Sequence, residues 1–162
     1  MSIEKAREHL SKFGAENRIV ELSVSSATVE LAAKALGREP GMIAKTISFY
    51  DKDSGVILIV AAGDTKIDNK RFKERFGLKA KMLTHEDAER LIGHAVGGIC
   101  PFGVNEGVRV FLDESLKRFD TVFPACGSSN SEIELTIAEL EEYAVPEAWA
   151  DVCKGWREEE GT

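Results

Sequence analysis

Two runs rich in β-branched and aromatic residues, KTISFY at 45–50 and VILIVA at 56–61, stand five residues apart. The segment between them, Asp51-Lys52-Asp53-Ser54-Gly55, is turn chemistry, so the stretch predicts a hairpin with a five-residue loop. The second run has no polar residue, so burial on both faces is expected and its place is the middle of a sheet. A chain built on such a hairpin must cover both faces of its sheet with other elements.

The remaining pattern supplies them. Ile3, Ala6, Leu10 and Phe13 recur at helical spacing before Gly14. RIVEL at 18–22 reads as a short strand. Ser25 and Ser26 precede a helix over 29–36, which Gly37 can close in the left-handed conformation. A charged helix is expected over 68–76, capped by Asp68 and stopped by Gly77. Thr84 with Asp87 resembles a capping box for a helix running to Ile92, and Thr136 with Glu139 forms a second for a helix ending before Pro146. VRVFL at 108–112, DTVFPA at 120–125 and SEIELTI at 131–137 read as strands. Strands and helices alternate irregularly, which predicts an α+β fold with a mixed, mostly antiparallel sheet flanked by helices. With about 150 residues per domain as a guide, the 162 residues form a single domain over 1–156 with a frayed tail at 157–162.

Composition excludes several classes. Hydrophobic residues are 43% and charged residues 30%, the balance of a globular domain rather than a disordered or fibrous chain. No apolar run is long enough to span a bilayer, so no membrane partner is expected. The N-terminus lacks the apolar stretch of a signal peptide, which predicts a cytoplasmic protein. Cys100, Cys126 and Cys153 form no CxxC pair, and His9, His85 and His94 show no metal-ligand spacing, so neither a disulfide framework nor a metal site is expected. The net charge of −7 argues against coating nucleic acid with the whole surface. It is unevenly spread: between 66 and 81, seven basic residues stand against two acidic ones. Lys70, Lys73 and Lys79 of that stretch are candidates for RNA phosphate contact, against the plainer reading of a solvated helix face.

Three segments could carry chemistry. GGICPFG at 97–103 has a rigid, glycine-rich backbone that can aim N–H groups at a ligand oxygen, although such segments are also ordinary tight turns. Lys45 opens a strand between apolar neighbours, where a cation can hold a phosphate or polarise a carbonyl, or simply snorkel. ACGSSNS at 125–131 suits a pocket wall or a turn.

Together and in this order, AAKALG at 32–37, IAKTISF at 43–49, ILIVAAGDTKID at 57–68, VGGICPFG at 96–103 and the Gly-Ser/Asn segment before EIELT at 132–136 resemble the YbaK/ProX/EbsC family of aminoacyl-tRNA deacylases. That family is related to the editing domain of bacterial prolyl-tRNA synthetases, and the resemblance covers roughly residues 3–145. It implies hydrolysis of the ester between a wrong amino acid and the terminal ribose of a tRNA, with no cofactor and no metal. It implies catalytic roles for Lys45, Gly97 and Gly98, and substrate contacts from Thr46, Cys100, Pro101, Gly127, Ser128 and Glu132. The implied partners are the acceptor end of an aminoacyl-tRNA, most naturally tRNA-Pro, and a prolyl-tRNA synthetase; a monomer and a homodimer are both compatible. Many relatives carry Ser at the place of Cys100 and a Gly-Gly-Lys/Arg-Gly pattern near 126–130, so cysteinyl, alanyl and seryl or threonyl substrates all stay open.

Two other readings compete. One is a catalytically silent module that binds tRNA or a synthetase. The other is a thiol hydrolase built on Cys100, which would need a neighbouring base or cation; Ile99, Pro101 and Phe102 supply none, and His94 is six residues away.

Overall fold

The computed structural model describes residues 2–157. The elements in chain order are α1 (Ser2–Ser11), β1 (Val20–Glu21), α2 (Val29–Leu36), β2 (Ile43–Tyr50), β3 (Val56–Ala62), β4 (Lys66–Ile67), α3 (Asn69–Phe76), α4 (His85–Ile92), β5 (Val108–Asp113), β6 (Thr121–Pro124), β7 (Ser131–Glu132), β8 (Leu135–Thr136), α5 (Ile137–Ala144), β9 (Ala148–Ala150) and β10 (Cys153–Lys154). The expected hairpin is the heart of the molecule. β2 and β3 pair antiparallel over seven residues, from Ala44↔Ala62 to Tyr50↔Val56. Every residue of β3 is buried, and β3 lies inside a six-stranded sheet of order β8-β6-β2-β3-β5-β9.

Alternation along these strands divides the core. Leu58, Val60, Ala62, Val110 and Leu112 face Ala6 and Leu10 of α1, Ala88 and Ile92 of α4, and Leu140 and Tyr143 of α5. Ile57, Ile59, Ala61, Phe49 and Phe111 face the other way, onto α3 and the segment around Val152 and Cys153. There Phe72 stacks between Phe49 and Phe76, with both ring centroids 4.7 Å away. The sheet is mixed. Among the described residues the six-stranded sheet has β2–β3 and β6–β8 antiparallel and β2–β6, β3–β5 and β5–β9 parallel, and the separate two-stranded pairs β1–β7 and β4–β10 are antiparallel, which makes four of the seven pairings antiparallel.

Several details differ from the expected elements. The segment 131–137 is two short strands rather than one. β7 leaves the main sheet to pair with β1, and β8 returns to pair with β6. The helix over 29–36 is capped by Thr28, whose hydroxyl accepts from Leu31 N–H. The Ser26 N–H donates to the Ser129 carbonyl at 2.6 Å. RIVEL begins as a 3-10 turn at Glu16–Arg18 and contributes only Val20 and Glu21 to pairing. Of the expected tail, Arg157 bonds Asp151 at 2.6 Å; residues 158–162 lie outside the described residues.

α5 ends on Val145, which is 64% exposed and sits at φ 48°, ψ 56°. A β-branched side chain is poorly suited to this left-handed conformation, which costs an L-residue roughly 1–2 kcal/mol. Asn tolerates it much better. Val145→Asn is therefore expected to raise the melting temperature by roughly 2–4 °C, about what 1 kcal/mol is worth at this chain length. An unchanged or lowered melting temperature would show that the Val145 side chain has a packing role that its exposure hides.

Candidate active site

β6 pairs with β2 only at Ile43↔Phe123 and Ala44↔Pro124. Farther along, Lys81–Leu83 covers the same edge of β2: Tyr50 N–H donates to the Lys81 carbonyl at 2.9 Å and Leu83 N–H to the Ser48 carbonyl at 3.2 Å. Between these two cover points, among the described residues, no strand pairs with Lys45, Thr46 or Ile47 on that side. A cavity of about 350 Å³ opens there. Its floor is Ile43–Ser48, and its walls come from Ser26–Val29, from Leu83 and Ala88 near α4, from Val96, Gly97 and Ile99, and from Ala125 with Glu132.

Of the residues singled out from the sequence, Lys45, Thr46, Gly97 and Glu132 meet in this cavity. Lys45 is half-buried. Its ammonium donates to the Thr65 carbonyl, with the Gly63 carbonyl at 3.5 Å. Burial pulls its pKa below the ordinary 10.5, while Cys153, Asp64 and Glu30 act in the opposite direction. Asp64 is held by Arg118 through contacts of 2.6 and 3.0 Å, and that pairing keeps its carboxyl below the usual range.

Glu132 is the least expected group in its surroundings. It is 2% exposed, and its backbone is tied down on β7, opposite Val20 on one side and bridged to Ala125 on the other. Its Oε2 has no hydrogen-bond partner among the described residues, and neither has the buried Thr46 Oγ1. Burial pushes the carboxyl up to about 7, offset in part by Ser26.

The glycine loop is a rigid support for the wall. His94 Nε2–H donates to the Phe102 carbonyl at 2.7 Å, closing the loop at both ends, and burial holds the His94 pKa below its ordinary value. Gly97 adopts φ 98°, which its lack of a Cβ permits. Gly98 is different. Its N–H donates to the Ala95 carbonyl at 3.0 Å, and a Cβ there would lie 2.6 Å from the Gly127 and Ser128 backbone. It packs the loop against the 127–128 turn and does not line the cavity, so the expected pair of donors reduces to Gly97.

The other expected contacts lie behind the wall. Cys100 is fully buried, 3.6 Å from both His94 Nε2 and the Phe102 carbonyl, and burial pushes its thiol up to about 12. Such a thiol is neither ionised nor accessible, which removes the thiol hydrolase. Pro101 lines a separate cavity of about 300 Å³ with His9 and Arg109. Gly127 and Ser128 support the loop from behind, the Ser128 hydroxyl lying 2.6 Å from that of Ser131. Lys70 and Lys73 are exposed on α3, and Lys79 lies past its Gly77 cap; α3 packs on the face of the sheet opposite Leu83 and Ala88, and none of the three lysines lines the cavity. Ser26 and His85 are cavity residues that the sequence did not single out. Their only signals were a serine pair before a helix and a histidine just inside a cap.

A family model described as an aminoacyl-tRNA editing domain matches residues 24–143, a span that includes all the walls of this cavity. The chain belongs to the aminoacyl-tRNA editing domain family. The likeness carried by IAKTISF and VGGICPFG is thereby borne out. The domain is 51% identical over 156 residues to YwhH of Bacillus subtilis (strain 168), an uncharacterized protein, covering 96% of this chain and 99% of that one. It is 28% identical over 109 residues to EbsC of Enterococcus faecalis (strain ATCC 700802 / V583), named as a candidate Cys-tRNA(Pro)/Cys-tRNA(Cys) deacylase, covering 67% of this chain and 66% of that one. A crystal structure described as a candidate trans-editing enzyme for prolyl tRNA synthetase superposes with a TM-score of 0.84 at 28% identity, covering 95% of this chain and 98% of that one. The editing fold agrees with the expected α+β architecture. Among the described residues no helix is long and apolar enough to cross a membrane.

The buried carboxyl makes the editing domain's stability depend on pH. A group held near 7 when folded and near 4.5 when unfolded contributes its full stability below pH 4.5 and loses it as pH rises through 7. Glu132→Gln is therefore expected to match the wild type near pH 4.5 and to exceed it above pH 7 by roughly 3 kcal/mol, at about 1.36 kcal/mol per pKa unit. Denaturant midpoints measured across this range check it. A constant difference at all pH values would mean that Glu132 titrates normally.

Proposed function

We propose that this editing domain is a trans-acting hydrolase that cleaves the ester between a mischarged amino acid and the terminal ribose of a tRNA. Its substrates are of the cysteinyl, alanyl or seryl/threonyl type, carried on tRNA-Pro, and it works in the cytoplasm beside a prolyl-tRNA synthetase. The observation that carries this reading is the meeting of Lys45, Thr46, Gly97 and Glu132 in one small cavity at the open edge of β2. The names of EbsC and of the trans-editing structure support the choice of amino acid and tRNA.

The chemistry is modest. An aminoacyl ester is already activated, so water can add to its carbonyl carbon without a protein nucleophile. The acyl C–O bond then breaks, the water oxygen stays with the amino acid, and the ribose oxygen leaves with a proton. The protein's part is to hold the ester and stabilise the oxyanion. One well-aimed donor is worth about 3 kcal/mol in such a site, and Gly97 N–H is the candidate for it. The Lys45 ammonium, held at the rim by Thr65 and Gly63, anchors either the terminal phosphate or the substrate carbonyl. Lys70, Lys73 and Lys79 would meet phosphates farther along the acceptor arm.

The test is a deacylation panel of Cys-, Ala-, Ser- and Thr-tRNA-Pro with the wild type and Lys45→Ala. The wild type is expected to release at least one of these amino acids, and the folded variant to be slower by roughly a hundredfold or more, the scale of a lost catalytic group. Binding of all four tRNAs with no release would favour a silent binding module. Wild-type rates in the variant would overturn the role of Lys45.

A further inference from the structure

The cavity holds a carboxyl group that nothing in the protein neutralises. The cation that lines the same cavity, Lys45, is turned to the Thr65 and Gly63 carbonyls, and the carboxylates acting on it are Asp64 and Glu30, not Glu132. The groups that act on or lie beside Glu132 are few. Ser26 lies before α2, and the neutral thiols of Cys100 and Cys126 lie behind the wall. His85 of α4 lines the same cavity. Arg18 and Glu134 share an adjoining cavity with Glu132, but Arg18 is committed to Glu139 at 2.7 Å and to the Glu134 carbonyl at 2.8 Å. A buried carboxylate helped only by a neutral hydroxyl, with Oε2 left unpartnered, is costly. Because β7 is paired on one side and bridged on the other, the backbone of Glu132 is held in the interior. A ligand that brings a small cation would relieve that cost.

We propose that Glu132 and Thr46 form the subsite for the α-ammonium group of the esterified amino acid, so that a free α-amino group is a requirement of the substrate. This rests on the deacylase reading. The ammonium has three N–H donors and no acceptor. Glu132 Oε2 and Thr46 Oγ1 are two buried acceptors without partners on the same cavity. Of the other lining residues, Ala27, Ala44, Leu83, Ala88 and Ala125 are apolar and leave room for a short side chain, and Glu132 is the one carboxylate on the lining among the described residues. The α-ammonium lies one carbon from the reacting carbonyl, so fixing it also orients the ester toward Gly97. Glu132 thus acts on binding and orientation, and proton transfer in the hydrolytic step does not pass through it.

The experiment compares two hydrolysis-resistant probes by calorimetry, 3′-alanylamino-3′-deoxyadenosine and its 3′-propionylamino counterpart, which differ only in the amino group. The wild type should bind the alanyl probe roughly 10- to 100-fold more tightly, the scale of a hydrogen-bonded charge. Run in buffers of different ionisation enthalpy at about pH 6.5, just under the Glu132 midpoint of about 7, this binding should release protons as the carboxyl ionises against the ammonium. Glu132→Gln should bind both probes alike and release none; Thr46→Val, which leaves the carboxylate in place, should keep the proton release with a smaller preference. Equal wild-type affinity for the two probes, no measurable binding of either, or tighter alanyl binding without proton release would each overturn the subsite. Failure of the wild type on every mischarged tRNA would instead overturn the deacylase reading, and the probe comparison would still decide what Glu132 binds.

Discussion

Strand β6 follows β2 for two residues and then leaves it, and the Lys81–Leu83 segment rejoins the same edge only at Ser48. The gap between them is what the rest of the molecule is arranged around. A sheet edge normally invites pairing with another chain. Here the exposed stretch is three residues long, recessed, and roofed by α4, the 96–99 loop and the segment before α2. The hairpin beneath it can sustain such an opening because β3 is buried along its whole length and pairs on both sides. The floor of the cavity is therefore fixed by the most stable part of the sheet, while the walls come from loops that need their own anchors.

Those anchors explain residues that do not touch the cavity. His94 ties the ends of the glycine loop through Phe102, and Gly98 lets the loop lie flush on Gly127 and Ser128. Cys100 fills the space behind it as a small apolar residue. Ser26 and Leu22 latch the opposite wall to the Ser129 and Asn130 carbonyls, both at 2.6 Å. The sheet switch between β7 and β8 carries Glu132 into the interior. Burying that carboxyl lowers stability at neutral pH, a cost more in keeping with a functional site than with a core.

Much of this was legible in the sequence because it is periodic. The hairpin, the caps at Asp68, Thr84 and Thr136, and the glycine stops at Gly37 and Gly77 all follow from local spacing and are present. β4, β9 and β10 were not legible, since two or three residues cannot show a period. The break inside 131–137 was hidden for a different reason: alternation persists across a strand that changes partners. At the site, the AKT and GGxxPFG segments marked the right region, yet not which groups face the cavity. Gly97 and Gly98 are equivalent in composition, and the fold separates them: Gly97 lines the cavity, while the Gly98 N–H is engaged by Ala95 and its Cα lies flush on Gly127 and Ser128. Glu132 looked like any other acidic residue in an alternating strand; its isolation depends on Lys45 and Arg18 being engaged elsewhere.

The central claim is that the opening at the β2 edge receives the aminoacyl end of a tRNA. A crystal structure of the protein with a short acceptor-end mimic, a CCA trinucleotide ending in an amide-linked alanine, tests it most directly. The account predicts the alanyl carbonyl against Gly97 N–H, between the floor at Lys45–Ile47 and the wall at Glu132. An alanyl group found in the cavity behind Pro101, or on the α3 face of the sheet, would contradict it.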